Sequence, residues 1–154
     1  MFTKILVPLD GSDDAEAALA VAAEIARRFE SQVVLLEVTP GYGPALAATA
    51  AEAFGASGSV AAAVEMEKAA ELTASAYLAA VNEEHGGTWQ TIVAEGDSAE
   101  AIAEQCEATG ADLIVMSTHA RSGFARLFLG SVVDDVIRRA RGVPVLVVHA
   151  EDDE

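Results

Sequence analysis

A three-layer α/β/α sandwich around a five-stranded parallel sheet is the fold this sequence predicts. Two observations predict it. Short apolar runs, led by Ile5-Leu6-Val7 and closed by Val145-Leu146-Val147-Val148, have the continuous character of strands covered on both faces. Between such runs lie segments with apolar residues at helical spacing. Strands alternating with amphipathic helices imply parallel pairing through right-handed crossovers.

Phe2 to Pro8 reads as the first strand, and Leu9-Asp10-Gly11-Ser12 as the turn that ends it. Ser12 or Asp13 caps the next helix, with Glu16 placed as the acid of a capping box from Asp13. Leu19, Ala22, Ala26 and Phe29 make its buried stripe, and Arg27 and Arg28 fall in the last turn, where the helix dipole favours cations. Val33 to Val38 is the second strand, broken by Thr39-Pro40-Gly41-Tyr42-Gly43-Pro44. Ala45 to Gly58 is alanine-rich without decisive periodicity: a loop, a short helix, or both. A connection this long often serves as a lid or contact surface, and Tyr42 and Phe54 are its aromatic residues.

Val60 to Glu84 reads as a long helix with Ala69, Leu72, Ala76 and Ala79 on one face, stopped by Gly86 and Gly87. Thr88 to Ala94 is the third strand, alternating Trp89, Thr91 and Val93 against Gln90, Ile92 and Ala94. It is more mixed than the others, as an edge strand would be. Asp97-Ser98-Ala99-Glu100 has capping-box form and opens a helix whose apolar face is Ala99, Ile102, Ala103 and Cys106, ended by Gly110. Leu113 to Met116 is the fourth strand. After the stretch from Ser117, Ser131 can cap the last helix, where Val133, Val136, Ile137 and Ala140 share a face and Gly142 follows. Val143 to Val148 is the final strand. Residues 1–150 make one domain with no repeat or linker, and 151–154 are a solvated acidic tail.

Composition narrows the function classes. At 52% apolar residues and a mean hydropathy of +0.31, the chain is not globally disordered. No run approaches the ~18 apolar residues that span a bilayer, and the N-terminus reads as a first strand rather than a signal peptide. A net charge of −16 argues against nonspecific nucleic-acid or anionic-membrane binding. Cys106 is the only cysteine, which fits a reducing, cytoplasmic setting and reads as a buried small hydrophobe. His85, His119 and His149 share no metal-ligand spacing. Only Lys4 and Lys68 are lysines; a high-salt cytoplasm and a GC-rich genome are equally good reasons.

The charge is unevenly spread. Between Thr118 and Gly142 lie Arg121, Arg126, Arg138, Arg139 and Arg141 against Asp134 and Asp135, net +3, which leaves −19 for the remainder. These arginines either solubilise one helix or serve the stretch they surround. That stretch, Met116 to Ser131, leaves a strand and feeds a helix, and it is rich in small residues. In an open parallel sheet, ligands bind beyond the strands' carboxyl ends where the strand order reverses. With the first strand central, Asp10 and the stretch from Ser117 to Ser131 face each other across that crevice.

The motifs carry a resemblance. Ile5 to Ser12 is similar to the first strand and turn of the universal stress proteins. Glu95 to Ile102 resembles that family's entry to its third helix, and Asp112 to Met116, Leu129 to Val132 and Pro144 to Val148 follow it end to end. The resemblance implies a Rossmann-like fold of the adenine nucleotide alpha hydrolase type, with strand order 3-2-1-4-5. It also implies ATP binding, a nucleotide-dependent role in stress response rather than catalysis, and a homodimer formed through the last strand, Val145, Leu146, Val147 and Val148.

The ATP-binding branch carries Gly-x2-Gly-x9-Gly-(Ser/Thr), which falls here on Ser117, Ala120, Gly130 and Ser131. The last two positions match and the first two depart. The resemblance further implies Asp10 for the ribose, Pro8 and Leu9 around the base, the Val38 backbone for adenine, and Met116, His119 and Val132 lining the site. Serine at 117 keeps its N–H and adds a hydroxyl. At position 120 a methyl group replaces hydrogen, and a positive φ there would strain the chain by about 1–2 kcal/mol, roughly tenfold in affinity. Ser131 offers a hydroxyl and backbone donors at a helix N-terminus, and Arg121 and Arg126 can approach outer phosphates. Asp10 with Asp13 or Asp14 can hold Mg²⁺ or Mn²⁺ together with ATP phosphates.

Other readings remain. The chain can be a family member that has lost the phosphate loop and acts as a dimeric interaction module. A slow ATPase ranks below it, because His119 has no acid or nucleophile at a motif spacing. A phosphoacceptor receiver domain shares the layer order, but Val148-His149 ends the last strand with no lysine to hold a phosphoryl group.

Overall fold

The computed structural model describes residues 1–41, 48–49, 51–53, 55–118 and 130–150, apart from the side chains of residues 56–59. Its elements run β1 (Lys4–Leu9), α1 (Asp13–Phe29), β2 (Gln32–Thr39), α2 (Ala56–Glu84), β3 (Gln90–Glu95), α3 (Ser98–Thr109), β4 (Leu113–Thr118), α4 (Ser131–Arg139) and β5 (Val145–His149). All pairings are parallel, in the order β3-β2-β1-β4-β5. β1 pairs with β2 from Lys4↔Gln32 to Leu9↔Glu37 and with β4 through Ile5↔Leu113 and Leu6↔Ile114. The strand order therefore reverses between β1 and β4, where the sequence places the crevice.

Alternation along the strands builds two cores. Ile5, Val7, Val33, Leu35 and Val115 pack with Ala18, Leu19 and Ala22 of α1 and Leu78 and Val81 of α2. Leu6, Val34, Leu36, Ile114 and Met116 pack on the other face with Ile102 and Cys106 of α3 and Val133 and Val136 of α4. Each fully buried aliphatic side chain contributes about 1.5–3 kcal/mol. Ile5, Leu6 and Val7 have no exposed surface, which is why a continuous apolar run was needed at the centre of the sheet. Cys106 is buried as expected; its thiol donates to the Ala111 carbonyl at 3.5 Å, and burial pushes its pKa up.

Several expectations change. The long helix starts at Ala56, and it buries Ala63, Ala74, Leu78 and Val81, whereas Leu72 is 71% exposed and Ala69, Ala76 and Ala79 face outward with it. A helix this rich in alanine has more than one apolar row, so spacing alone does not choose its buried side. The sheet takes the side with the larger residues, Tyr77, Leu78 and Val81. Phe29 and Ile137 are each 43% exposed at the margins of their stripes; Phe29 packs edge-on against Phe2 at 5.8 Å.

The Asp13–Glu16 capping box is not formed. Ser12 caps α1, and Glu16 instead accepts a 3.0 Å hydrogen bond from the Tyr77 hydroxyl. β3 is an edge strand, but it begins at Gln90 rather than Thr88. The Asn82 side chain takes both backbone groups of Trp89, at 2.9 and 3.0 Å, before the ladder starts. Positions 48–49 and 51–53 are helical. Tyr42, Phe54 and the acidic tail lie outside the described residues.

Candidate functional site

The carboxyl end of β1 delivers Pro8 and Leu9, then turns sharply. Gly11 has φ +78°, a conformation L side chains rarely adopt, so the Asp10-Gly11-Ser12 turn calls for its glycine. Asp10 Oδ1 accepts from the Ser12 N–H at 3.0 Å and from the Ser12 hydroxyl at 2.5 Å. Ser12 Oγ in turn accepts from Ala15 N–H at 3.2 Å. Asp10 thus does not cap α1. It is held by the residue that does, and its Oδ2 has no hydrogen bond among the described residues.

Across the reversal point, β4 delivers Met116, Ser117 and Thr118. α4 begins just past Gly130, with Ser131 as its first helical residue rather than its cap. Gly130 makes no side-chain cap, so no side chain of its own satisfies the first N–H groups of α4. Its φ of −54° and ψ of 151° suit any residue. Among the described residues, a Cβ built there meets only Thr118 Oγ1, at an ordinary 3.6 Å. Neither the backbone of Gly130 nor its packing against the described residues calls for a glycine.

Between these ends lies a cavity of about 280 Å³ lined by Pro8, Leu9, Asp10, Ala15, Val38, Ser98, Ile102, Met116, Ser117, Thr118, Gly130, Ser131, Val132 and Val133. Pro8, Leu9, Asp10, Val38, Met116, Ser117, Gly130, Ser131 and Val132, singled out from the sequence, come together here. His119, Ala120, Arg121 and Arg126 lie outside the described residues. Arg138 and Arg139 do not join the site. They occupy the last turn of α4, at the far end from Gly130, and Arg138 lies 3.7 Å from Asp135.

Sequence reasoning missed Ala15, Ser98, Ile102, Thr118 and Val133 as lining residues. Thr118 follows Ile114 and Met116 at period two, so alternation alone places it on the α3–α4 face. Ser98 and Ile102 come from another element, whose approach the strand order determines. The cavity's walls suit a flat apolar ring between Val38, Ile102 and Met116. Its rim carries serine hydroxyls, one carboxylate and a helix N-terminus, a donor set suited to a sugar and an anion. Among the described residues no group of three His, Cys, Asp or Glu could hold a metal ion, and Asp10 is the one ionisable residue lining the cavity.

The model of the universal stress protein family matches residues 1–149. The chain belongs to the universal stress protein family. Universal stress protein MJ0531 of Methanocaldococcus jannaschii is 35% identical over 151 residues, 96% of this chain and 82% of that protein. The solved universal stress protein UspA from Lactobacillus plantarum superposes with a TM-score of 0.72 at 25% identity, covering 95% of this chain and 97% of that one. A universal stress protein solved in complex with cAMP shares the fold at a TM-score of 0.60 and 23% identity, over 97% and 98% of the two chains. The observed strand order is thus that of a universal stress protein. No helix among the described residues is long and apolar enough to cross a membrane.

Proposed function

We propose that this universal stress protein binds an adenine nucleotide, ATP first among them, and acts as a nucleotide-dependent stress-response regulator. One observation carries the reading: the N-terminus of α4, which no side chain among the described residues caps, opens beside Gly130 into an apolar-walled cavity. A side chain at position 130 would occupy the place where an anion meets the first N–H groups. Val38, Ile102 and Met116 receive the base, and the free oxygen of Asp10 takes the ribose hydroxyls. Ser117, Gly130 and Ser131 offer backbone N–H groups and hydroxyls to the phosphates. Any Mg²⁺ or Mn²⁺ enters with those phosphates, with Asp10 as its protein carboxylate. His119, Ala120 and Arg121 are assigned to the phosphate side by the family resemblance alone.

The protein is a binder rather than an enzyme in this reading, because Asp10, the ionisable group that lines the cavity among the described residues, has no acid–base partner there. It works as a homodimer through β5, an edge strand on which Leu146 is 38% exposed. The purified protein should release an adenine nucleotide detectable by mass spectrometry, and ATP titration should give binding below millimolar. Absence of both would sink the reading.

The departures at Ser117 and Ala120 favour a second reading, a dimeric interaction module with an impaired or closed site. Ala120→Gly separates the two. Up to about tenfold tighter ATP binding marks an impaired site, and no change alongside no binding marks a closed one.

A further inference from the structure

Ala69, Leu72, Ala76 and Ala79 form an apolar row of α2 at helical spacing, yet the fold leaves that row outside. Leu72 is 71% exposed, and the three alanines are exposed beside it. The opposite side of the helix meets the sheet through Leu78 and Val81. The outward row of α3 is different. Glu100, Glu104 and Glu107 occupy it, as a solvated helix face requires. α2 thus carries two apolar rows, and the sheet uses one. An apolar stripe left on a charged surface marks a place of contact.

Carboxylates close this stripe at both ends. Glu65 lies one turn before Ala69 and Glu83 one turn after Ala79, both exposed. They stand about five turns apart, roughly 27 Å along the axis. Neither has an ion-pair partner among the described residues. Lys68 is the only basic residue in the α2 sequence, and the whole chain carries −16. We propose that this face of α2 docks a cationic amphipathic helix of another protein. The alanines let a partner helix approach closely, so the partner supplies the bulky apolar side chains that pack around Leu72. Lysine or arginine toward its two ends meets Glu65 and Glu83. A second copy of this chain is the wrong occupant. Antiparallel pairing would set Glu65 of one copy against Glu83 of the other, and parallel pairing would set each glutamate against itself. None of these residues lines the nucleotide cavity, so the inference does not depend on the nucleotide reading.

The probe is a fluorescent synthetic peptide of about 20 residues, long enough to reach both glutamates. Leucines form one helical stripe and lysines fill the rest. Its anisotropy is read against the protein at physiological salt. Wild type should bind it, and a scrambled peptide of the same composition should bind about tenfold more weakly or worse. Leu72→Glu is the deciding variant. It adds negative charge, so diffuse attraction to an acidic protein would strengthen binding. Docking on this face predicts a loss of about tenfold or more instead. Glu65→Gln with Glu83→Gln should weaken the peptide about two- to fivefold. Glu104→Gln with Glu107→Gln, the same charge change on α3, should leave it unchanged. If Leu72→Glu does not fold, Leu72→Ser carries the test at unchanged charge. Binding that Leu72→Glu leaves equal or stronger, equal binding of the scrambled peptide, or no binding by wild type would overturn the proposal. So would a wild type that dimerises in sedimentation when Leu72→Glu does not, since a second copy would then be the occupant.

Discussion

The helices that begin at the carboxyl edge of the sheet start in two different ways. α1 and α3 cap themselves: Ser12 Oγ accepts from Ala15 N–H at 3.2 Å, and Asp97 Oδ1 accepts from Glu100 N–H at 3.0 Å. α4 has Gly130 in the cap position and no such bond. A capping side chain fills the space an anion would otherwise take. Leaving it out exposes donors to the cavity and forgoes some helix stability. α2 also starts at a glycine, Gly55, but with φ +81°, a conformation that itself calls for glycine. Gly130 has no such reason. The contrast separates a glycine kept for the chain from one kept for a ligand.

Gly130→Asp is the strongest way to break the contrast. An aspartate there caps α4 as Asp97 caps α3, so stability should hold or rise by a few tenths of a kcal/mol, and the melting temperature with it. The same carboxylate occupies the anion's place and repels it, and ATP affinity should fall about a hundredfold or more. Opposite signs in calorimetry and titration are the signature. ATP affinity equal to wild type in a folded variant would show that α4 does not receive the anion.

The self-capped helices should answer with stability instead. Asp97→Ala removes a cap bond and should cost about 1 kcal/mol, a drop of about 2–4 °C in melting temperature, with ATP affinity unchanged. Ser12→Ala sharpens the point because Ser12 also tethers Asp10. It should lower the melting temperature similarly and also weaken ATP several-fold. Identical binding profiles for the two variants would mean that the tether on Asp10 does not matter.

What was legible from the residues follows the same division. The continuous runs at Ile5 to Val7 and Leu113 to Met116 announced buried parallel strands, because only a strand covered on both faces is apolar at every position. Asp10, Gly130 and Ser131 were legible because they fall on motif positions of the family resemblance, although the backbone of Gly130 itself suits any residue. The buried face of α2 was not. Leu72 and Leu78 both lie on apolar helical rows, and only docking on the sheet, with Tyr77 bonded to Glu16, selects Leu78. Ser98 and Ile102 were missed for a related reason. A cavity wall contributed by a neighbouring crossover helix is fixed by strand order, and no local spacing records it.

The smallest expected effect tests the other face of the same strand ends. Glu37 precedes Val38 on β2 and points away from the cavity, toward the side of the sheet that holds Tyr77 and Glu16. Its Oε2 is buried with no hydrogen-bond partner among the described residues. Burial first, and the nearby Asp10 carboxylate second, raise its pKa above the usual 4.5. Tyr77 gives its proton to Glu16 rather than to Glu37, so among the described residues no donor meets Oε2. A carboxyl that holds its proton more tightly when folded adds stability that is fully present below its unfolded pKa. That stability is lost as pH rises through the higher folded value. At neutral pH the charged Glu37 therefore weakens the fold. Glu37→Gln should melt above wild type at pH 7, and the advantage should shrink as pH falls through the folded pKa and vanish only well below the unfolded value, at about pH 3, where wild-type Glu37 is protonated in both states. Melting curves across that range decide it. A variant that melts below wild type at pH 7 would mean that the carboxylate finds a partner, and the two faces of the β1–β2 edge would then differ less than their side chains suggest.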